Sequence, residues 1–245
     1  RNPAAPDQIV ATYDETPDNT LDEVVARARA AQLEWAALPQ PERGVMVTNF
    51  VNALETRSEE IAKSITKEMG KPLAEARGEA MKALGEARAS VARANAPIGE
   101  VFGSQIPGTV SYSTRRPRGV ILGINPWNFP FSTPMRKAIP ALVYGNAIIL
   151  KPASLTPGAV ALMAEVAAST LPENLVQAVI GRGALGQALA EHRGIDAVSF
   201  TGSVEVGKRV ATAAAGHLAE VSLELGGKNP AILNDASDLE KVLDQ

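Results

Sequence analysis

Five short segments hold the side chains best suited to chemistry: Asn125-Pro126-Trp127-Asn128-Phe129-Pro130, Lys151-Pro152-Ala153-Ser154, Gly181-Arg182-Gly183-Ala184-Leu185-Gly186, Thr201-Gly202-Ser203 and Glu224-Leu225-Gly226-Gly227-Lys228. Glu224 sits in an apolar run. An ionised carboxylate buried there is costly unless paired or used. Burial would also raise its pKa toward the range of a general base working near neutral pH. Gly202-Ser203, ahead of a helix-forming run, offers free backbone N–H groups and a hydroxyl, which suit a phosphate; a serine there is equally an ordinary helix cap. Gly181-x-Gly-x-x-Gly186 has the spacing of a dinucleotide fingerprint, and a glycine-rich strand-to-helix turn is spelled the same way. Taken singly, Lys151 reads as a solvated surface lysine and Asn128 as a turn residue.

Composition removes several classes of function. The net charge is −3, from 27 acidic and 24 basic residues. The longest basic block is Arg115-Arg116 with Arg118, so no nucleic-acid footprint is visible. Aromatics make up 4%, too few for a single-strand stacking platform. There are no cysteines and two histidines, His192 and His217. That excludes disulfides, thiolate or histidine-cluster metal sites, and any cysteine nucleophile within these residues. The apolar runs fall well short of the ~18–20 residues of a membrane span. No signal peptide opens the chain, and Arg1-Asn2-Pro3 lacks an initiator methionine, so a trimmed start and a cytoplasmic location are expected. With 245 residues, 45% of them hydrophobic, one or two globular domains can form a sizeable core.

The elements that must position these segments follow from periodicity. Thr20 with Glu23 spells a capping box opening a helix over Leu21–Leu38, whose apolar face is Leu21, Val24, Val25, Ala28, Ala31 and Trp35. Further helices are predicted over Pro41–Thr56, Ser58–Met69 and Pro72–Asn95, the last carrying Gly78 and Gly85 in its interior. Residues 101–118 read as a hairpin outside the main sheet. Strands are predicted over Val120–Ile124, Ala147–Leu150, Leu175–Ile180, Ile195–Phe200, Val221–Leu225 and Ala231–Leu233. Helices fall between them over Ser132–Tyr144, Thr156–Thr170, Ala184–Glu191 and Val204–Ala215. Such alternation implies βαβ units and a parallel sheet, which carries its ligand at the C-terminal ends of its strands. The expected fold is α/β: a Rossmann-like, twisted, mostly parallel sheet with helices on both faces, N-terminal helices and a protruding hairpin. A Rossmann reductase built on Gly181–Gly186 would need an acidic residue about 20 positions on, at a strand end. Glu205 is near that distance but falls in a helix.

Taken together, Pro126-Trp127-Asn128-Phe129-Pro130, Lys151-Pro152-Ala153-Ser154, Phe200-Thr201-Gly202-Ser203 with Glu205 and Gly207, and Glu224-Leu225-Gly226-Gly227-Lys228, in this order, resemble the aldehyde dehydrogenase superfamily along essentially the whole chain. Lys151–Ser154, Gly181–Gly183 and Gly226–Pro230 look most like its semialdehyde-oxidising members. The resemblance implies that a thiolate attacks an aldehyde, hydride passes to NAD(P)+, and water cleaves the thioester. Asn128 matches the family's oxyanion-hole amide, Glu224 its general base and Lys137 a lysine behind the site that relays protons. For NAD or NADP, the resemblance places Ile124, Asn125 and Pro126 along the cleft, with Trp127 packed near it. Lys151 falls on the adenosine ribose beside Ala153 and Ser154. Phe200, Gly202, Ser203, Val206 and Gly207 fall around the pyrophosphate, and the Leu225 backbone on the nicotinamide side. Gly183 and Gly186 move to the adenine, so the glycine turn is not a phosphate cradle. Ser154 stands where NAD-preferring members carry an acid, so NADP is expected to be accepted at least as well as NAD. The hairpin matches the family's oligomerisation excursion and implies a homodimer or tetramer. The implied partners are thus a small aldehyde and a second copy, with neither nucleic acid nor membrane.

The nucleophilic cysteine departs from the pattern. In the family it lies beyond the Glu-Leu-Gly-Gly motif, and none stands in for it here. The expectation is one cofactor-binding domain over 1–245, interrupted by the hairpin, with the catalytic domain elsewhere and the isolated chain inactive. A stand-alone dinucleotide-binding module and half of a split enzyme remain as alternatives.

Overall fold

A computed structural model describes residues 1–230 and 232. The strand expected over Ala231–Leu233 and the helix expected from Ser237 lie outside the described residues. Five strands form one parallel sheet: β3 (Val120–Ile124), β4 (Ala147–Lys151), β5 (Val176–Ala178), β6 (Ala197–Gly202) and β7 (Glu220–Leu225), in the order β5-β4-β3-β6-β7. Chain order runs outward from β3 to β5, then jumps back across β3 to β6. The switch point is therefore between β3 and β6, where an open α/β sheet places its ligand. Both short hairpin strands, β1 (Val101–Phe102) and β2 (Ser111–Tyr112), pair antiparallel in a separate sheet.

Residue parity sorts the helices. Gly123, Ser199 and Leu150 are register partners on one face of the sheet, as are Thr201 and Glu224. α5 (Ser132–Val143) covers that face, its Lys137 reaching Ser199 and Thr201. The opposite face carries α7 (Gly183–Glu191), α8 (Val204–Ala215) and α1 (Leu21–Ala37). There Gln177 donates to Val24 O of α1 at 2.9 Å. α2 (Gln40–Thr56), α3 (Ser58–Met69) and α4 (Leu73–Val91) stack outside α5 and α6 (Gly158–Thr170). The apolar face read for α1 is buried from Leu21 to Trp35, and the Trp35 indole donates to Leu142 O at 2.8 Å.

Two carboxylates cap the sheet helices. Glu68, on α3, accepts from Gly158 N at the start of α6. Glu79, on α4, accepts from Phe131 N and Ser132 N at the start of α5, both at 3.1 Å. Those N–H groups have no intrahelical partner, and a negative charge suits the helix start.

One local expectation fails. Thr20 forms no capping box: it is helical, at φ −99° and ψ −3°, and ends a 3₁₀ turn over Asp18–Thr20. Its hydroxyl donates back to Pro17 O at 2.7 Å, so it is not free to face the α1 N–H groups. The long fourth helix ends as α4 at Val91 and tightens to 3₁₀ over Ala92–Asn95. Within α4, Gly78 and Gly85 are exposed, and a Cβ at either would meet nothing within 4 Å. The double substitution Gly78→Ala/Gly85→Ala is therefore expected to stabilise the fold by about 1–2 kcal/mol, about half from each site. A urea midpoint that stays put or falls would contradict this.

Candidate active site

The loops that leave β3, β6 and β7 meet at one rim of the sheet. Asn128, Lys137 and Glu224 line a single cleft of about 480 Å³, together with Pro126, Phe129 and Arg136. The three candidate catalytic side chains are brought together, although Asn128 and Glu224 lie far apart in sequence. Alternation along β7 does part of the work. Glu224 faces the α5 side, whereas Leu225 faces α8, where a Cβ on Gly207 would come within 2.6 Å of Leu225 Cδ2.

Lys137 is half-buried, where a surface helix lysine would be solvated. Its ammonium donates to Ser199 O and Thr201 Oγ1 at 2.9 Å and to Ser199 Oγ at 3.2 Å. Its stem passes over Gly123, where an added Cβ would touch Lys137 Cδ at 3.5 Å and press on Leu150 Cδ2 at 3.0 Å. Burial pushes the amine down to about 8, against the opposing pull of Glu224. Between about 8 and the ordinary 10.5, the folded chain therefore holds fewer protons here than the unfolded chain, so stability rises with pH across that window. The full effect is on the order of 3 kcal/mol. Lys137→Met should abolish this rise. The check compares urea unfolding of both proteins at pH 7 and pH 10; equal slopes with pH would contradict the burial.

Glu224 departs from expectation. Its side chain is exposed, so the burial expected of it is absent. The reason is position: β7 is the edge strand of the described sheet, with α8 on its other face. Glu224 opens onto the cleft rather than into a core.

The cofactor candidates divide by environment. Ser203 caps α8, its hydroxyl accepting from Val206 N at a long 3.4 Å. Ser203 and Val206 are exposed beside Gly202, leaving the α8 N-terminus open to solvent. Gly202 and Gly207 are needed for protein packing, since a Cβ on Gly202 would come within 2.6 Å of Phe200 Cζ. Trp127 is exposed and Pro126 half-buried at the rim. Ile124 pairs with Lys151 and Phe200 at the strand ends. Asn125 is buried, its amide donating to Gly123 O and Lys151 O, so it ties the strand ends together. Lys151 is buried too: its ammonium donates to Pro152 O at 3.0 Å, and desolvation lowers its pKa. Ser154, one residue beyond half-buried Ala153, is exposed and lines a second cleft of about 340 Å³ with Ile180 and Gly181.

The glycine turn is explained by packing. A Cβ on Gly181 would lie 2.5 Å from Leu185 Cδ2, and one on Gly186 3.0 Å from Lys151 Cδ. Gly183 faces open space at the start of α7. Glu205 lies in the first turn of α8 and pairs with Arg209, away from any ribose-binding strand end.

Three residues of the site's surroundings had no signal in the sequence. Arg136 lines the cleft and makes a bidentate pair with Glu86 on α4, at 2.6 and 2.8 Å. Lys71 and Glu79 hold the loop that carries Asn128. Each depends on partners far away along the chain, so spacing could not reveal them.

Comparison with known proteins bears on the family and the fold. The chain is 39% identical over 241 residues to an alpha-ketoglutaric semialdehyde dehydrogenase of Bacillus subtilis, covering 98% of this chain and 49% of that one. It is 36% identical to an alpha-ketoglutarate semialdehyde dehydrogenase of Haloferax volcanii, covering 99% and 51%. Among solved structures, a 3,6-anhydro-L-galactose dehydrogenase in complex with NAP superposes with a TM-score of 0.91 at 33% identity, over 97% of this chain and 50% of that one. A betaine aldehyde dehydrogenase variant of Staphylococcus aureus, solved with NAD+, gives 0.91 at 31% identity, over 100% and 50%. The chain spans about half the length of the curated relatives it matches. The aldehyde dehydrogenase family profile matches residues 1–245. A cleft assembled from the Asn128, Lys137 and Glu224 segments and a match across the whole sequence lead to one conclusion: this chain belongs to the aldehyde dehydrogenase family.

Proposed function

We propose that these residues form the dinucleotide-binding part of an NAD(P)-dependent enzyme that oxidises a semialdehyde to its acid. The reading is carried by one observation: Asn128, Lys137 and Glu224 share a cleft beside the open N-terminus of α8. That helix start fits a pyrophosphate, because Ser203, Val204 and Glu205 are exposed where a helix presents its first N–H groups. Ser203 and Gly202 would hold the diphosphate, Lys151 beside Ser154 the adenosine ribose, and Leu225 would flank the nicotinamide. When bound, the dinucleotide supplies a hydride acceptor.

The chain's own residues do the rest. The Asn128 amide would donate to the aldehyde oxygen as it becomes negative, where a preorganised donor is worth most. The Glu224 carboxylate, open to the cleft, would take a proton from water. Lys137, with its lowered pKa, can pass a proton along Ser199 and Thr201 behind them. Arg136 also lines the cleft, with its Nε and Nη2 held by Glu86.

The 245 residues contain no cysteine, so the thiolate must come from outside them. Purified 245-residue protein should make no NADPH from a semialdehyde and NADP+, whereas the protein extended along its reading frame to a cysteine should do so. NADPH from the short chain alone would overturn this, and a stop codon directly after Gln245 would favour a stand-alone binding module. A homo-oligomer joined through the hairpin, with Val101 and Tyr112 exposed, completes the proposal.

The exposed serine at 154 bears on cofactor choice. An acid there would repel a 2′-phosphate, whereas a hydroxyl does not. NADP+ should bind at least as tightly as NAD+ in a fluorescence titration. NAD+ binding tighter by more than about tenfold, ~1.4 kcal/mol, would contradict it.

A further inference from the structure

We infer that Lys71 and Glu79 are positioning residues for the Asn128 loop, acting as one clamp from the α3–α4 corner. Gly70, at φ 81°, ends α3 in the left-handed conformation and turns the chain into Lys71-Pro72 and α4. Glu79 follows two turns along that helix. The two side chains are nearly enclosed, 10% and 2% exposed, with Lys71 Nζ 2.6 Å from Glu79 Oε2. Each then reaches the loop. Lys71 Nζ donates to the Asn128 carbonyl at 2.9 Å and lies 4.2 Å from the centre of the Phe129 ring. Glu79 Oε1 accepts from Phe131 N and Ser132 N.

Asn128 and Phe129 are themselves exposed, so neighbouring apolar packing does little to fix them. The clamp replaces it with directional contacts at both ends of the segment 128–132. A buried ion pair of this kind adds little net stability, because both partners lose their hydration. What it provides is one geometry: the Asn128 main chain is held from below, so its amide leaves a fixed Cα toward the cleft. For catalysis this inference rests on Asn128 being the oxyanion donor; the positioning itself does not.

The two tryptophans make the test direct, since Trp127 sits in the loop and Trp35 in the core. The 245-residue protein is labelled with 5-fluorotryptophan and its two ¹⁹F lines are assigned with Trp127→Phe. In Lys71→Met, the Trp127 line should move or broaden while the Trp35 line holds. Lys71→Arg, which keeps the cation, should restore the wild-type position. Glu79→Gln, which keeps one acceptor oxygen for the two N–H groups but loses the charge partner of Lys71, should displace the Trp127 line less. A Trp127 line unmoved in both Lys71→Met and Glu79→Gln would overturn the inference. So would equal disturbance of both lines in both variants, which would assign the pair to the fold as a whole. Adding NADP+ to the wild-type protein separates the two claims. If NADP+ leaves the Trp127 line untouched while Lys71→Met displaces it, the clamp stands and the cofactor reading fails.

Discussion

Asn128→Ala is expected to lower kcat for aldehyde oxidation by roughly 10²–10³-fold, ~2.7–4 kcal/mol of transition-state stabilisation, in the enzyme that joins these residues to a thiol. The effect should fall on kcat more than KM, because the amide matters most once the aldehyde oxygen carries charge. Asn128 is exposed and at the rim of the cleft, so its loss should leave folding nearly unchanged. Steady-state NADPH formation and a urea midpoint, measured on the same preparation, check both halves. A loss below about tenfold would remove Asn128 from the catalytic role.

Trp35→Ala is the substitution expected to damage the fold most, by about 3–5 kcal/mol. The indole is 1% exposed and anchors α1 to the end of α5 through Leu142 O. Alanine leaves a cavity between α1 and the sheet, and the Leu142 carbonyl loses its indole donor. Against a typical total of roughly 5–15 kcal/mol, this is a large fraction. Trp35→Phe keeps most of the volume and should cost clearly less. Chemical denaturation of the two variants orders them, and equal midpoints would show that α1 does not depend on this contact.

Periodicity alone placed most of the scaffold. β3 begins and ends where its Val-Ile-Leu run does, and α3 stops at Gly70, whose positive φ ends a helix. β5 and β6 came out shifted or shortened relative to the predicted apolar runs. Hydrogen bonding to a neighbour, rather than side-chain pattern, decides where a strand ends. The hairpin kept only two residues per strand, since its exposed apolar residues have nothing among the described residues to pack against.

The site was legible where chemistry is written in short segments and illegible where it depends on long-range pairing. Asn128, Glu224 and Lys137 were identified by motif, and the fold brings them together. The burial expected for Glu224 was wrong because apolar neighbours in sequence do not reveal which strand lies at the edge of the described sheet. The glycines of residues 181–186 look like a phosphate loop, yet two of them make room for Leu185 and Lys151. Lys71 escaped notice because its partner Asn128 lies 57 residues away, and Arg136 because Glu86 lies 50 away.

The most direct measurement is a crystal structure of this chain soaked with NADP+ at saturating concentration. The account predicts the diphosphate on the N–H groups at the start of α8 beside Ser203, with the nicotinamide directed into the cleft between Asn128 and Glu224. A diphosphate seated on the Gly181–Gly186 turn, or a nicotinamide ring outside that cleft, would contradict it.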